Sequence, residues 1–379
     1  MQPNLPSPHT PGASNSASVW QLINWLTALA GLLAMTVIGL LTVIVLVGMG
    51  DTMAPASPVA LTTGPTVKTA SVVSVVSSQP ASVPDTPPKP DYWHPPGEAQ
   101  LPAGTADKEI RYGQELIAHT AKYFGPTGSV LHLSNGMNCQ NCHLDAGTKV
   151  LANNYSAVFS TYPKFRERSG DVETVVKRIT DCFERSLNGK SPDAASREMK
   201  AMVAYMKWLG MGVPKGDKPK GVGTAKLTYL DRAADPAQGR RLYSAKCQSC
   251  HGVTGKGIKV AGDAQYTCPP LWGPDSYNDG AGLFRLSSFA GYVRNNMPYG
   301  ASYQNALLTD AESWDLAAFI NSMPRPHKDQ GKDWPKIAAK PVDFPFAPYA
   351  DSFSEKQHKF GPYQPITDAK EATGIRSGN

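Results

Sequence analysis

Two five-residue runs of one pattern, Cys139-Gln140-Asn141-Cys142-His143 and Cys247-Gln248-Ser249-Cys250-His251, carry the most specific chemistry in this chain. Two thiols three positions apart can each form a thioether to a vinyl group of one porphyrin while the adjacent imidazole reaches the iron, so each run reads as an attachment site for a c-type haem. A zinc knuckle would need a second ligand pair, and no further CxxC or HxxxH stands near either run to supply it. Two covalently bound haems c are therefore expected, one held by Cys139, Cys142 and His143, the other by Cys247, Cys250 and His251.

The character of each iron depends on the ligand opposite its histidine. In the second half the loop Arg294-Asn295-Asn296-Met297-Pro298-Tyr299-Gly300 offers Met297, since a Met-Pro shortly before a closing helix is the usual distal ligand of a cytochrome c. No Met-Pro matches it in the first half. The slot is taken by Cys182, within Ile179-Thr180-Asp181-Cys182-Phe183-Glu184-Arg185. Met199, Met202 and Met206 are rivals by type, but their spacing lays them along the apolar face of a helix, where core packing is their expected role.

The elements that must position these ligands repeat. Asp235-Pro236-Ala237-Gln238 is a helix start, with Asp as N-cap, Pro at the first position and Gln three on to close a capping box; Gly239 and Tyr243 follow on that helix. Asp107-Lys108-Glu109-Ile110, then Gly113 and Leu116-Ile117, play the same part in the first half. Ser191-Pro192 is expected to open the first closing helix and Thr309-Asp310-Ala311-Glu312 the second, which Pro324 ends. Helix, haem run, loops, ligand loop and closing helix is the order of a cytochrome c domain. The expected fold is all-α: tandem cytochrome c domains over 99–215 and 216–330, preceded by a transmembrane helix and a linker.

Composition agrees with such a division. A chain of 379 residues is long for one domain, and with 34 glycines, 33 prolines and only 18% charged residues much of it must be loop. The net charge of +6 comes without an arginine-rich arm or an aromatic-basic ladder, so no nucleic-acid partner is expected. Residues 19–49 contain no charge, and at about 1.5 Å per residue the apolar stretch Leu26 to Val47 is long enough to cross a hydrocarbon core of about 30 Å. Residues 1–50 hold no Lys or Arg, which argues for an uncleaved anchor over a signal peptide. Haem is attached outside the bacterial cytoplasmic membrane, so the expected arrangement is a single-pass inner-membrane protein with a cytoplasmic tail at 1–18 and periplasmic haem domains. Residues 50–98, rich in Ala, Ser, Thr, Val and Pro, read as a linker whose r.m.s. span would be roughly 35–40 Å if flexible. The segment 331–379 has no clear period and is expected to wrap the second domain.

Three stretches together resemble the dihaem thiosulfate dehydrogenases: Asn138-Cys139-Gln140-Asn141-Cys142-His143-Leu144-Asp145-Ala146-Gly147-Thr148; Cys182-Phe183-Glu184-Arg185-Ser186-Leu187-Asn188-Gly189; and Pro269-Pro270-Leu271-Trp272-Gly273-Pro274 through Asn278-Asp279-Gly280-Ala281-Gly282. The likeness covers about residues 105–326, and the Cys-Phe-x-Arg-Ser segment is its most specific part. It implies His143 with Cys182 at a catalytic first haem, and His251 with Met297 at a second that passes electrons on. Certain members place a lysine immediately before the distal methionine; here that residue is Asn296, so no lysine ligand is expected. Cys268 has no counterpart role and reads as a buried free thiol.

A thiolate on iron favours Fe(III) and a thioether favours Fe(II), so electrons should run from the first haem to the second. Joining two thiosulfates as tetrathionate releases two electrons, one for each haem. The resemblance implies that Cys182 takes up a sulfane sulfur as a covalent adduct and releases tetrathionate when a second thiosulfate attacks, in either direction of turnover. Two dianions need positive charge. Lys164, Arg166, Arg168, Arg178, Arg185 and Lys190 surround Cys182 in sequence, and Arg166, Arg168 and Arg185 are the candidate substrate contacts, although the interleaved Glu167, Asp181 and Glu184 would also suit a solvated surface. The electron acceptor would be another cytochrome c or a membrane oxidase. The alternative is a non-catalytic dihaem electron carrier, in which Cys182 is a structural thiol or pairs with Cys268.

Overall fold

The computed structural model describes residues 25–27, 29, 92–260 and 265–374. Val83–Asn379 forms one compact unit holding both haem-attachment runs. Its helices, in chain order, are α1 (Thr105–Ala118), α2 (Thr120–Phe124), α3 (Val175–Arg185), α4 (Arg197–Leu209), α5 (Pro236–Lys246), α6 (Leu286–Asn296), α7 (Asp310–Ser322), α8 (Glu355–Phe360) and α9 (Gln364–Ala372), besides shorter turns. The fold is mostly helical, but it also has two antiparallel hairpins, β1 (Lys164–Arg166) with β2 (Asp171–Glu173) and β3 (Ile258–Lys259) with β4 (Tyr266–Cys268).

One helix crossing is built twice. α1 packs on α4, and α5 packs on α7. At the first crossing a Cβ on Gly113 would stand 2.0 Å from the carbonyl oxygen of Ala201; at the second a Cβ on Gly239 would stand 1.9 Å from that of Asp315. Only glycine lets the opening and closing helices of each half touch backbone to backbone. Around the first crossing Leu116, Ile117, Phe124, Met199, Met202 and Leu209 are fully buried, and around the second Trp314, Leu316 and Ile366 are. The methionines of α4 are thus core residues, as their spacing predicts.

Local chemistry explains most of the boundaries. Thr309 Oγ1 accepts from Glu312 N at 3.2 Å while Glu312 Oε2 accepts from Thr309 N at 2.8 Å, the expected capping box. Asp235 caps α5 by accepting from Ala237 N at 2.7 Å, but Gln238 does not close a box, because its Oε1 accepts from Arg241 Nε at 2.9 Å. The first closing helix starts at Arg197 and not at Ser191-Pro192. Asp193 folds the intervening segment into a turn, accepting from Ala195 N at 2.7 Å on its side chain and from Ser196 N at 3.0 Å on its carbonyl, and Ser196 becomes the cap.

The C-terminal segment grips both domains. Val342, Tyr363 and Ile366 complete the second core, and buried Asp343 accepts from Arg285 Nε at 2.9 Å and Ser287 N at 3.0 Å. Trp334 N, however, donates to the Arg168 carbonyl of the first domain at 2.7 Å, so this segment does more than wrap the second. The expected membrane anchor, 19–49, lies outside the described residues apart from 25–27 and 29, which are helical. Among the described residues no helix is long and apolar enough to cross a membrane.

Candidate active site

The first attachment run opens into a cavity of about 340 Å³ lined by Cys139, Cys142, His143 and Cys182. His143 Nδ1 donates to the Asn153 carbonyl at 2.5 Å, which leaves Nε2 unprotonated and free to bind iron. Burial pushes this imidazole down to about 4, so it is neutral at pH 7, as a metal ligand must be. The Tyr155 ring stacks on it at 4.6 Å and holds its plane. Two thioether-forming cysteines, a neutral imidazole with Nε2 free and an apolar wall that includes Met202 and Phe183 fit a covalent haem.

Cys182 reaches this cavity from a helix. Thr174 caps α3 by accepting from Lys177 N at 3.2 Å, and the helix continues through the segment that the ligand-loop pattern would leave irregular. Helical spacing then puts Arg178, four residues before Cys182, on the same side. The cavity wall also includes Lys164 and Arg166 from β1, and Lys218 from the connection between the domains. Arg178 is held charged, its guanidinium raised first by the neighbouring Cys182 and lowered by burial. Lys164 is lowered, first by burial and then by the charges of Arg166, Lys218 and Arg178. Lys164, Arg178 and Lys218 form no ion pair with the described residues, whereas Arg166 Nε lies 3.9 Å from Glu173. The cavity therefore carries a surplus of positive charge beside a thiol.

Of the arginines singled out in the sequence, Arg166 lines the cavity and Arg168 and Arg185 do not. Arg185 makes a bidentate pair with Asp333 at 2.8 and 2.7 Å. Arg168 donates to the Gly280 carbonyl at 3.1 Å, lies 4.0 Å from the same Asp333 and faces the Trp334 ring at 5.8 Å. Burial and the charges of Arg185 and Arg178 lower Arg168, but a guanidinium this close to a carboxylate stays charged. Both arginines are spent on joining three parts of the chain. Lys218, missed in the sequence, lies in a loop with no local pattern, while Arg178, named there among the charges around Cys182, is brought into the cavity by the helix α3.

The motif segments meet at that junction. Asn278, fully buried, donates from Nδ2 to the Glu184 carbonyl at 2.8 Å and to Asn188 Oδ1 at 2.9 Å, and its backbone N–H donates to the Arg185 carbonyl at 3.0 Å. One asparagine of the second domain thus satisfies the last two carbonyls, Glu184 and Arg185, of the helix that carries Cys182.

In the second domain His251 Nδ1 donates to the Pro269 carbonyl at 2.9 Å, again freeing Nε2, and burial lowers its pKa. Met297 ends α6, its N–H bonded to the Val293 carbonyl at 3.0 Å, and packs half-buried against the second core. Cys247, Cys250 and His251 fit a second covalent haem. Cys182 and Cys268 are free thiols, so the disulfide alternative does not hold. Cys268 sits half-buried on β4 beside Cys250, its thiol raised by burial and by that neighbour.

A family model described as the SoxA/TsdA cytochrome c domain matches residues 131–214, and one described as cytochrome c matches 236–324. The thiosulfate dehydrogenase of Stutzerimonas stutzeri is 35% identical over 235 residues, covering 62% of this chain and 73% of that protein. That of Allochromatium vinosum is 39% identical over 235 residues, covering 61% and 83%. The solved structure of thiosulfate dehydrogenase (TsdBA) from Marichromatium purpuratum matches with a TM-score of 0.57 at 35% identity, over 62% of this chain; the chain spans half the length of that protein, 50%.

Proposed function

The chain belongs to the family of dihaem thiosulfate dehydrogenases, oxidoreductases with two covalently bound haems c, and from that premise we propose that it joins two thiosulfate ions into tetrathionate at Cys182. The supporting observation is the company Cys182 keeps: one cavity holds its thiol, His143, and the cations Lys164, Arg178 and Lys218, which form no ion pair with the described residues.

Those cations draw in a dianion and hold its sulfonate oxygens, leaving the sulfane sulfur toward Cys182. Arg178, whose own charge the neighbouring Cys182 favours, stands beside the sulfur that forms the S–S bond. Cys182 and the first thiosulfate form a disulfide bond between the cysteine sulfur and the sulfane sulfur, with loss of two electrons. The second thiosulfate attacks that sulfane sulfur, the S–S bond to Cys182 breaks, and tetrathionate leaves with the thiolate restored. The haems, when bound, supply two one-electron acceptors, so the electrons of one turnover are accounted for. Run backwards, the same steps reduce tetrathionate.

Met297 and His251 serve the exit of electrons to another cytochrome c or a membrane oxidase. The uncharged run 19–49 supports a single-pass anchor in a bacterial inner membrane, with the haem domains periplasmic. If so, the haem-stained protein fractionates with membranes and resists extraction by high salt, because apolar burial is not screened. The decisive assay is steady-state ferricyanide reduction by thiosulfate with tetrathionate measured as product. Absence of turnover in both directions would leave an electron carrier in its place.

A further inference from the structure

The two haem sites support their proximal histidines differently. His251 donates to the carbonyl of Pro269, in its own domain, whereas His143 donates to Asn153, in a loop that the rest of the molecule must hold in shape. Leu151 and Asn153 both lie in the left-handed region, each with φ of 56°. Such a conformation persists in a side-chain-bearing residue only when its surroundings impose it.

What imposes it comes largely from outside the first domain. Leu151 N donates to the Gly221 carbonyl at 2.8 Å and Asn153 N to that of Gly223 at 2.9 Å, both in the connection between domains. Between them Ala152 is fully buried in the core of the second domain. The Leu151 carbonyl accepts from Asn296 Nδ2 at 3.1 Å. Asn296 is 3% exposed, its other amide proton goes to the Tyr292 carbonyl at 2.9 Å, and the next residue is Met297. Two carbonyl acceptors fix the amide orientation, since only the NH₂ end can serve both.

We propose that Asn296 is a positioning residue that couples the two haem sites: by holding Leu151 it keeps the Asn153 carbonyl against His143, so the residue next to the second distal ligand tunes the first haem. A proximal imidazole that gives its N–H to a carbonyl is a stronger donor to iron and favours Fe(III), so this bond lowers the first potential. Weakening the grip on Leu151 lengthens it, and the first potential rises. The inference rests on covalent haem in both domains and not on the direction or chemistry of thiosulfate turnover.

The test is a potentiometric titration of the full-length holoprotein, following the EPR signal of the first haem and the Met297-dependent charge-transfer band of the second. Asn296→Leu, similar in size and without donors, should shift the first potential upward although Asn296 is remote in sequence from every ligand of that haem. Asn296→Gln, which keeps an amide donor, should return part of the shift. A lower melting temperature with the first potential unmoved would show a merely structural role and overturn the proposal. If Asn296→Leu fails to retain both haems, Asn296→Ser, with one donor left, reads the same quantity: a smaller shift of the same sign supports the coupling, and none overturns it.

Discussion

The first and second domains share a helix crossing at glycine, a CxxCH run and a proximal histidine whose Nδ1 proton goes to a backbone carbonyl. They part on the distal side. The second domain ends α6 in a methionine packed against apolar core, the residue proposed above to serve the exit of electrons. The first brings a thiol along a whole helix, with Arg178 one turn before it and Lys164 and Lys218 from elsewhere in the chain. On the proposed reading, the scaffold fixes where a haem can sit, and sulfur chemistry is added by the helix that stands where the second domain has its methionine loop.

Erasing that difference is the most severe test. Cys182→Met makes the first domain resemble the second: methionine can ligate iron, so both haems should stay attached and the fold intact. A thioether cannot form the disulfide adduct, so thiosulfate turnover should fall by about three or more orders of magnitude, the scale of losing a covalent nucleophile. Mass spectrometry of the thiosulfate-treated wild type should find the added mass on Cys182. Near-normal turnover in the variant would end the covalent reading.

The next largest effect lies where the domains meet. Asp333 is shared by Arg185 and Arg168, all of them nearly buried. Asp333→Asn leaves two guanidinium groups without a charged partner, a loss of about 3–5 kcal/mol for a buried pair broken on one side. The melting temperature should drop by several degrees, and Arg185→Leu with Asp333→Leu should recover part of it. An unchanged melting temperature in Asp333→Asn would mean that the contact is idle.

That network also marks where the sequence stops being legible. The haem runs, the Thr309 box and the methionine face of α4 could all be read, because each follows a spacing imposed by covalent geometry or by the helix itself. Arg168 and Arg185 carry the right charge near the right cysteine, but their partner, Asp333, is 148 residues beyond Arg185 and no local pattern announces it. Lys218 was hidden for the same reason: a loop residue joins a site through tertiary folding alone. Asn278 was visible as part of a motif, yet its task, bonding the end of α3, appears only when the two motif segments are seen together.

Within the cavity the cations should be unequal. If Arg178, beside Cys182, makes the charge-assisted substrate contact proposed above, Arg178→Leu should lower kcat/KM about ten- to a hundredfold, corresponding to about 1.5–3 kcal/mol. Arg166→Leu should cost less, since Glu173 already offsets its charge. Equal losses in the two variants would show that the cavity senses net charge and not a contact.

The smallest effect has a distinctive sign. Lys164 is lowered by burial and by Arg166, Lys218 and Arg178, with Glu173 acting the other way. It is charged below its lowered value and neutral above it, so KM for thiosulfate should rise as pH climbs through that value, below the ordinary lysine range near 10.4. Stability should move oppositely. Because the unfolded chain holds this proton more tightly than the folded one, the stability cost of charging Lys164 is present at lower pH. It is relieved as pH rises between the lowered value and the ordinary one. Weaker substrate binding accompanied by firmer folding separates this titration from general alkaline unfolding, in which both would fail together. Lys164→Gln should flatten both trends; if KM still rises over the same window in that variant, another group is responsible.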